Sequence, residues 1–146
     1  MIALIQRVSE SEVWVGSERV GAIGRGVLAL IGVQRGDSAE AGARLLERIL
    51  SYRVFPDAAG RMNLSLREVG GGLLLVPQFT LAADTGKGTR AGFSTAAAPE
   101  EAQRLFADLL SRAQAAYATV SAGVFGAYMR VSLVNDGPVT FLLATR

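Results

Sequence analysis

Two short apolar runs restrict the fold of this chain more than any other feature. Val27-Leu28-Ala29-Leu30-Ile31-Gly32-Val33 and Leu73-Leu74-Leu75-Val76 are each confined by glycine on one side and by proline or polar residues on the other. Runs this short between turn signals are strands, and the first carries no polar residue on either alternating face, so it reads as a strand buried on both faces. Residues 1–8 and 12–16 alternate enough to read as strands, with a hairpin turn at Gly16-Ser17-Glu18 leading into a strand over 19–23. A final pair, 129–134 and 139–144, flanks Asn135-Asp136-Gly137-Pro138 and reads as two strands joined by a turn.

Two helices fit the remaining periodic segments. Leu45, Leu46, Ile49 and Leu50 recur at helical spacing behind Gly36-Asp37-Ser38, where Asp37 and Glu40 are spaced like a capping box. Pro99, with Glu100 and Glu101 in the first turn, opens a second helix over Ala102, Leu105, Phe106, Leu109, Leu110 and Ala113. Phe55-Pro56-Asp57-Ala58-Ala59-Gly60 is turn chemistry, and residues 82–99 form a long segment without apolar period, which in a compact domain points to function. The expected architecture is α/β of the α+β kind: one domain over residues 1–146, a curved, barrel-like, mostly antiparallel sheet, and two long helices.

Composition narrows the chemistry. The 146 residues include no cysteine and no histidine, so no Ser-His-Asp triad, Cys-His pair, disulfide or zinc site of the usual ligands can be built from this chain. Proton traffic at neutral pH must run through carboxylates, hydroxyls, backbone groups, a metal or the substrate itself. No cofactor and no metal are expected. Half of the residues are apolar and 19% are charged, which excludes disorder, and a chain of this length buries roughly 68–70% of its unfolded surface. No apolar run reaches the roughly 18 residues of a membrane span, and the start of the chain lacks the pattern of a secretory signal, so a cytoplasmic location is expected. Net charge is +2, and Lys87 is the sole lysine among 15 cations. Arginine suits phosphate recognition, and this composition permits RNA as a partner without requiring it.

The glycine-rich segments are turns. Gly21-Ala22-Ile23-Gly24-Arg25-Gly26 has its glycines in the wrong order for a dinucleotide site and lies between strands, while Gly70-Gly71-Gly72 precedes a strand. In Gly86-Lys87-Gly88-Thr89 a glycine separates the lysine from the hydroxyl, and Leu81 stands where a phosphate loop needs its first glycine. Asp84-Thr85-Gly86 is the triplet of an aspartic hydrolase, whose two chains share a proton between carboxylates, but Lys87 beside it and the two long helices argue for a turn.

Two segments at the ends of apolar strands carry the most information. Val76-Pro77-Gln78-Phe79-Thr80 stops a buried strand at proline and then presents an amide, an aromatic ring and a hydroxyl. Asn135-Asp136-Gly137-Pro138-Val139-Thr140 sets a Gly-Pro pair in a turn. In this order and separation, together with Met1-Ile2-Ala3-Leu4-Ile5-Gln6-Arg7-Val8, Tyr52-Arg53-Val54-Phe55 and Met62-Asn63-Leu64, they make the chain resemble the bacterial D-aminoacyl-tRNA deacylases along essentially its whole length. The resemblance implies a barrel-like α/β fold and a symmetric homodimer with active sites at the subunit interface. It also implies hydrolysis of D-amino acids and glycine from the aminoacylated 3′ end of tRNA, with neither DNA nor membrane as a partner.

Carried over residue by residue, the resemblance puts Gln78, Phe79 and Thr80 in the catalytic pocket. Pro77, Gly137 and Pro138 then contact substrate, Arg7 braces the Gly-Pro pair, and Met129 lies in the matching strand. Pro77 stands where the family usually has serine, so neither a hydroxyl nor a backbone N–H is available there. Arg90-Ala91-Gly92-Phe93 replaces the usual Arg-Pro-Ser-Phe. The reading from another class is a non-catalytic RNA-binding dimer of the same fold that has lost activity through Pro77.

Overall fold

The strand β1 (Ile2–Val15) is the spine of the molecule, a computed structural model that describes residues 1–145. Following it are β2 (Glu18–Ile23), β3 (Gly26–Gly32), α1 (Ala39–Ser51), β4 (Phe55–Pro56), β5 (Met62–Leu64), the one-turn α2 (Leu66–Val69), β6 (Gly72–Pro77), a 3-10 turn (Phe79–Ala82), α3 (Pro99–Ala116), β7 (Val120–Ala122) and β8 (Arg130–Ala144). The main sheet runs β2-β1-β3-β6-β7, with β8 also on β1, and β4 pairs with β5 in a separate ribbon. Pairings of β1 with β2, β3 and β8 are antiparallel, whereas β3 with β6 and β6 with β7 are parallel. No helix among the described residues is long and apolar enough to cross a membrane.

The two apolar runs are β3 and β6, side by side in the middle of this sheet. Alternation splits their side chains between two cores. Val27, Ala29, Ile31, Leu73 and Leu75 pack with Leu45, Leu46, Ile49 and Leu50 of α1 and with Leu105, Phe106 and Leu109 of α3. Leu28, Leu74 and Val76 point the other way and meet Val8, Val13 and Ile23 inside the curl of the sheet. The curl nearly closes into a barrel, because the Ala22 N–H donates to the Ser121 hydroxyl at 3.1 Å and so brings β2 to β7.

Both long helices form where the periodicity puts them, but the first is capped differently. Ser38, not Asp37, is its N-cap, and its hydroxyl accepts from the Ala41 N–H at 3.2 Å. Asp37 is drawn away by stronger partners: its carboxylate lies 2.6 Å from the Met1 ammonium and also accepts from the Gln34 N–H at 2.6 Å. A charged pair almost fully withdrawn from water outweighs a cap that a neighbouring serine can supply. The short α2 has a full capping box between Ser65 and Glu68.

The two ends of the chain depart further from expectation. Residues 1–8 and 12–16 are one strand, not two, and so are 129–134 and 139–144, except that β8 begins at Arg130, one residue after Met129. Residues 135–138 do not reverse the chain. They interrupt β8 while it stays antiparallel to β1, with Thr140 opposite Gln6 and Asn135 opposite Val8. Arg7 therefore faces the whole stretch 136–139, and the excess bulges out of the ladder.

Gly26 and Gly72 allow β3 and β6 to start in contact, since a Cβ on Gly26 would lie 1.9 Å from the Gly72 carbonyl oxygen. Gly26→Ala must push the β3 and β6 backbones apart and is expected to lower the unfolding free energy by about 3 kcal/mol. Gly24→Ala, which meets nothing within 4 Å, is expected to change it by less than about 0.5 kcal/mol. Urea denaturation of both variants checks the contrast, and equal midpoints would contradict it.

Candidate active site

The first site motif lies where β6 leaves the sheet. Pro77 is in register with Ile31 of β3, and the next N–H, that of Gln78, donates to the Ile31 carbonyl at 2.8 Å. Successive strand residues face opposite edges, so the N–H that proline lacks falls on the β7 side, where pairing has already ended at Leu75 and Ala122. Proline thus ends β6 without removing a ladder bond. The chain then turns sharply, with the Leu81 N–H donating to the Gln78 carbonyl at 3.2 Å and the Ala83 N–H to that of Thr80 at 3.2 Å.

In this short turn the N–H groups of Phe79 and Thr80 come before the first internal bond, and neither meets an acceptor among the described residues. The Gln78 side-chain amide donates to the Thr80 hydroxyl, so that hydroxyl is held by an amide and not by a base. The Phe79 ring is 59% exposed and rests against Phe93, with ring centroids 5.3 Å apart.

Beside the turn is a cleft of about 440 Å³ between β6, the start of α3 and the segment before β8. Pro77, Gln78, Phe79 and Met129 line it, together with Pro99, Ala102, Phe125 and Tyr128. The last four were not legible as site residues, because only the folded chain brings the helix start and the 123–129 turn to the end of β6. Met129 has a fixed place here: its sulfur accepts from the Val124 N–H at 3.3 Å and fills the space next to Gly123. Thr80 is at the rim, tied in through Gln78. No lining residue is a carboxylate, amine or guanidine. The groups whose ionisation is displaced lie elsewhere, as with Tyr117, whose hydroxyl burial pushes upward, and Glu47, which the Arg67 guanidinium holds below the usual carboxylate range.

The second motif does not reach this cleft in the same chain. Gly137 and Pro138 are exposed on the β8 bulge, joined by a cis peptide bond, with Gly137 at φ +147°. The bulge is held from both sides. Arg7 Nε donates to the Asp136 carbonyl at 2.8 Å while its Nη1 donates to the Val54 carbonyl at 2.6 Å, and the Asn135 side-chain carbonyl accepts from the Val139 N–H at 2.8 Å. An added Cβ at Gly137 would come within 2.6 Å of the Val139 side chain and 3.2 Å of the Arg7 guanidinium. Pro77, Gln78, Phe79, Thr80 and Met129 are therefore together, while Arg7, Gly137 and Pro138 form a separate cluster. A further cleft of about 330 Å³ along β1, β2 and β8 contains none of these residues.

The family model of D-Tyr-tRNA(Tyr) deacylase matches residues 4–144. The D-aminoacyl-tRNA deacylase of Thioalkalivibrio sulfidiphilus is 66% identical over 143 residues, 98% of this chain and 96% of its own length. That of Alkalilimnicola ehrlichii is 62% identical over 146 residues, 100% and 97% of the two chains. Among solved structures, the c-Myc DNA Unwinding Element Binding Protein superposes with a TM-score of 0.95 at 36% identity, covering 100% of this chain and 99% of its own. A probable eukaryotic D-amino acid tRNA deacylase, 18% identical over 97% of both chains, shares the fold at a TM-score of 0.80.

The Arg7 brace predicts a stability effect separate from catalysis. Arg7→Met keeps the packing stem and removes both bonds to carbonyls, so the unfolding free energy is expected to fall by about 2 kcal/mol, a value typical of charge-assisted hydrogen bonds. Unchanged urea denaturation would mean that water replaces the brace without loss.

Proposed function

The chain belongs to the D-Tyr-tRNA(Tyr) deacylase family, and on that premise we propose that its cleft hydrolyses the ester joining a D-amino acid, or glycine, to the 3′ end of tRNA. The observation that carries this reading is the pair of N–H groups at Phe79 and Thr80, without an acceptor among the described residues, beside a cleft whose lining holds no carboxylate, amine or guanidine. Such a site suits a substrate that supplies its own proton carrier. The terminal ribose has a hydroxyl vicinal to the ester, and intramolecular proximity of this kind supplies several kcal/mol. Water adds to the carbonyl carbon and passes its proton to the 2′-hydroxyl. Charge gathers on the carbonyl oxygen, where each fixed N–H donor contributes about 3 kcal/mol. Collapse breaks the carbon–oxygen bond, and the 3′ oxygen leaves with the proton handed on by the 2′-hydroxyl. Free amino acid and deacylated tRNA result.

Thr80 is not the nucleophile in this scheme. Its hydroxyl is engaged by Gln78, and the chain has no histidine to activate it. Chirality is read by backbone. Gly137 and Pro138 stand away from the cleft of their own chain, on an exposed bulge that a partner chain can receive, and this separation supports a symmetric homodimer in which each cleft is completed by the partner's Gly-Pro pair. Rigid backbone in that position occupies the space an L side chain needs. It cannot reject glycine, which has no side chain to clash. Pro77 is the one observation favouring a non-catalytic RNA-binding dimer, since it deletes the hydroxyl usual in the family, yet the proposed chemistry does not use that group.

Hydrolysis of D-Tyr-tRNA and Gly-tRNA with L-Tyr-tRNA left intact is the expected outcome of a deacylation assay. Thr80→Val is expected to stay within about tenfold of the unaltered chain, while a 2′-deoxy terminal adenosine slows release by at least about 100-fold. Robust turnover of L-Tyr-tRNA contradicts the stereochemical reading, and loss of activity in Thr80→Val with full activity on the deoxy substrate contradicts the mechanism.

A further inference from the structure

Every residue from 84 to 95 is exposed, yet the segment is pinned at its base. Asp84 and Gly92 exchange backbone bonds of 2.8 and 2.9 Å, the Thr95 hydroxyl donates to the Ala82 carbonyl at 2.7 Å, and the Arg35 N–H donates to the Thr95 carbonyl at 3.0 Å. The foot of the resulting loop lies beside the cleft, because the Phe93 ring packs against Phe79, which lines it.

Its charge contrasts with that of three paired helix arginines, Arg67 with Glu47, Arg104 with Glu101 and Arg112 with Asp108. On the loop, the single carboxylate, Asp84, is turned back to accept from the Gly86 N–H at 2.9 Å. Lys87 and Arg90 are left with no acidic partner among the described residues. Gly86 and Gly88 flank Lys87, so no neighbouring side chain screens its ammonium. Two exposed aromatic rings, Phe79 at 59% and Phe93 at 46%, lie at the foot of these cations. Cations that accept phosphate beside rings that accept a base form the signature of a single-stranded nucleic-acid seat.

We propose that the 84–92 loop holds the single-stranded end of the RNA just before its terminal nucleotide, with Lys87 and Arg90 on its phosphates and Phe93 stacking an unpaired base. This rests on the deacylase reading for the identity of the strand but not for the existence of the seat. Phe79 links the two, since it lines the cleft while its ring meets Phe93. The terminal adenosine and its ester then enter the cleft, and the strand leaves across the loop.

The test pairs K87S/R90S with R44S/R61S, which removes the same charge from exposed arginines elsewhere, and adds Phe93→Leu. Binding of a fluorescent acceptor-stem minihelix with a single-stranded 3′ end is measured by anisotropy between about 50 and 200 mM salt. K87S/R90S is expected to raise Kd about tenfold at the lower salt and to flatten the slope of log K against log salt by about 1.4, the value for two single-strand phosphates, whereas R44S/R61S leaves the slope in place. Phe93→Leu is expected to weaken binding several-fold without changing the slope. In parallel, K87S/R90S lowers the ratio of kcat/KM for D-Tyr-tRNA to that for D-tyrosyl-adenosine, which has no phosphate, about tenfold. Equal slopes for the two double variants would overturn the proposal, as would tighter binding of a duplex DNA of the same length. If the unaltered protein cleaves neither ester while the minihelix still depends on Lys87 and Arg90, the deacylase reading fails and the seat stands.

Discussion

β1 uses both of its edges along almost its full length, and the positions of the other elements follow from that. On one edge β3 occupies its first half and β2 its second, so the sheet must bend where the two meet. The bend brings β2 round to β7 and leaves Leu28, Leu74 and Val76 enclosed. On the other edge β8 follows β1 from Ile2 to Trp14, and a strand held at both ends can only take up surplus residues by bulging outward. The Gly137–Pro138 pair is thereby lifted from the surface, opposite Arg7, whose guanidinium bridges the bulge and the Val54 carbonyl. The same sheet directs the end of β6, and with it the Gln78-Phe79-Thr80 turn, to the mouth of the cleft.

Both motifs present backbone more than side chains. At one, two N–H groups open a short turn; at the other, a glycine at φ +147° and a proline stand on a braced bulge. Backbone held by a sheet is positioned more tightly than a long side chain, and on the proposed reading it does two jobs, stabilising an oxyanion and excluding one enantiomer. The missing histidine and cysteine fit this arrangement, since a site that borrows a hydroxyl from RNA has no use for either.

The parts legible in the sequence were those decided locally. The 27–33 and 73–76 runs, the helix behind Pro99 and the end of the second run at Pro77 all form where pattern and punctuation put them. Asn135-Asp136-Gly137-Pro138 has the composition of a reversing turn, but β1, more than a hundred residues earlier, holds the flanking segments in line. Asp37 has the spacing of a cap, yet the Met1 ammonium claims it and Ser38 takes its place. In the cleft, the Pro77-to-Thr80 segment could be found because its chemistry lies within four residues. Phe125, Tyr128 and Pro99 could not, because their membership depends on where α3 and the 123–129 turn land.

The central claim is that the two motifs form one site only across two chains. Complementation measures this directly: Gly137→Ala disrupts the bulge, Phe79→Pro deletes one N–H of the cleft, and each variant alone is expected to be nearly inactive on D-Tyr-tRNA. After the two are unfolded and refolded together in equal amounts, half of the dimers are mixed and each mixed dimer has one intact composite site, so about a quarter of the unaltered activity should return. No recovery above the two variants refolded separately, with mixed dimers present, would contradict the shared site.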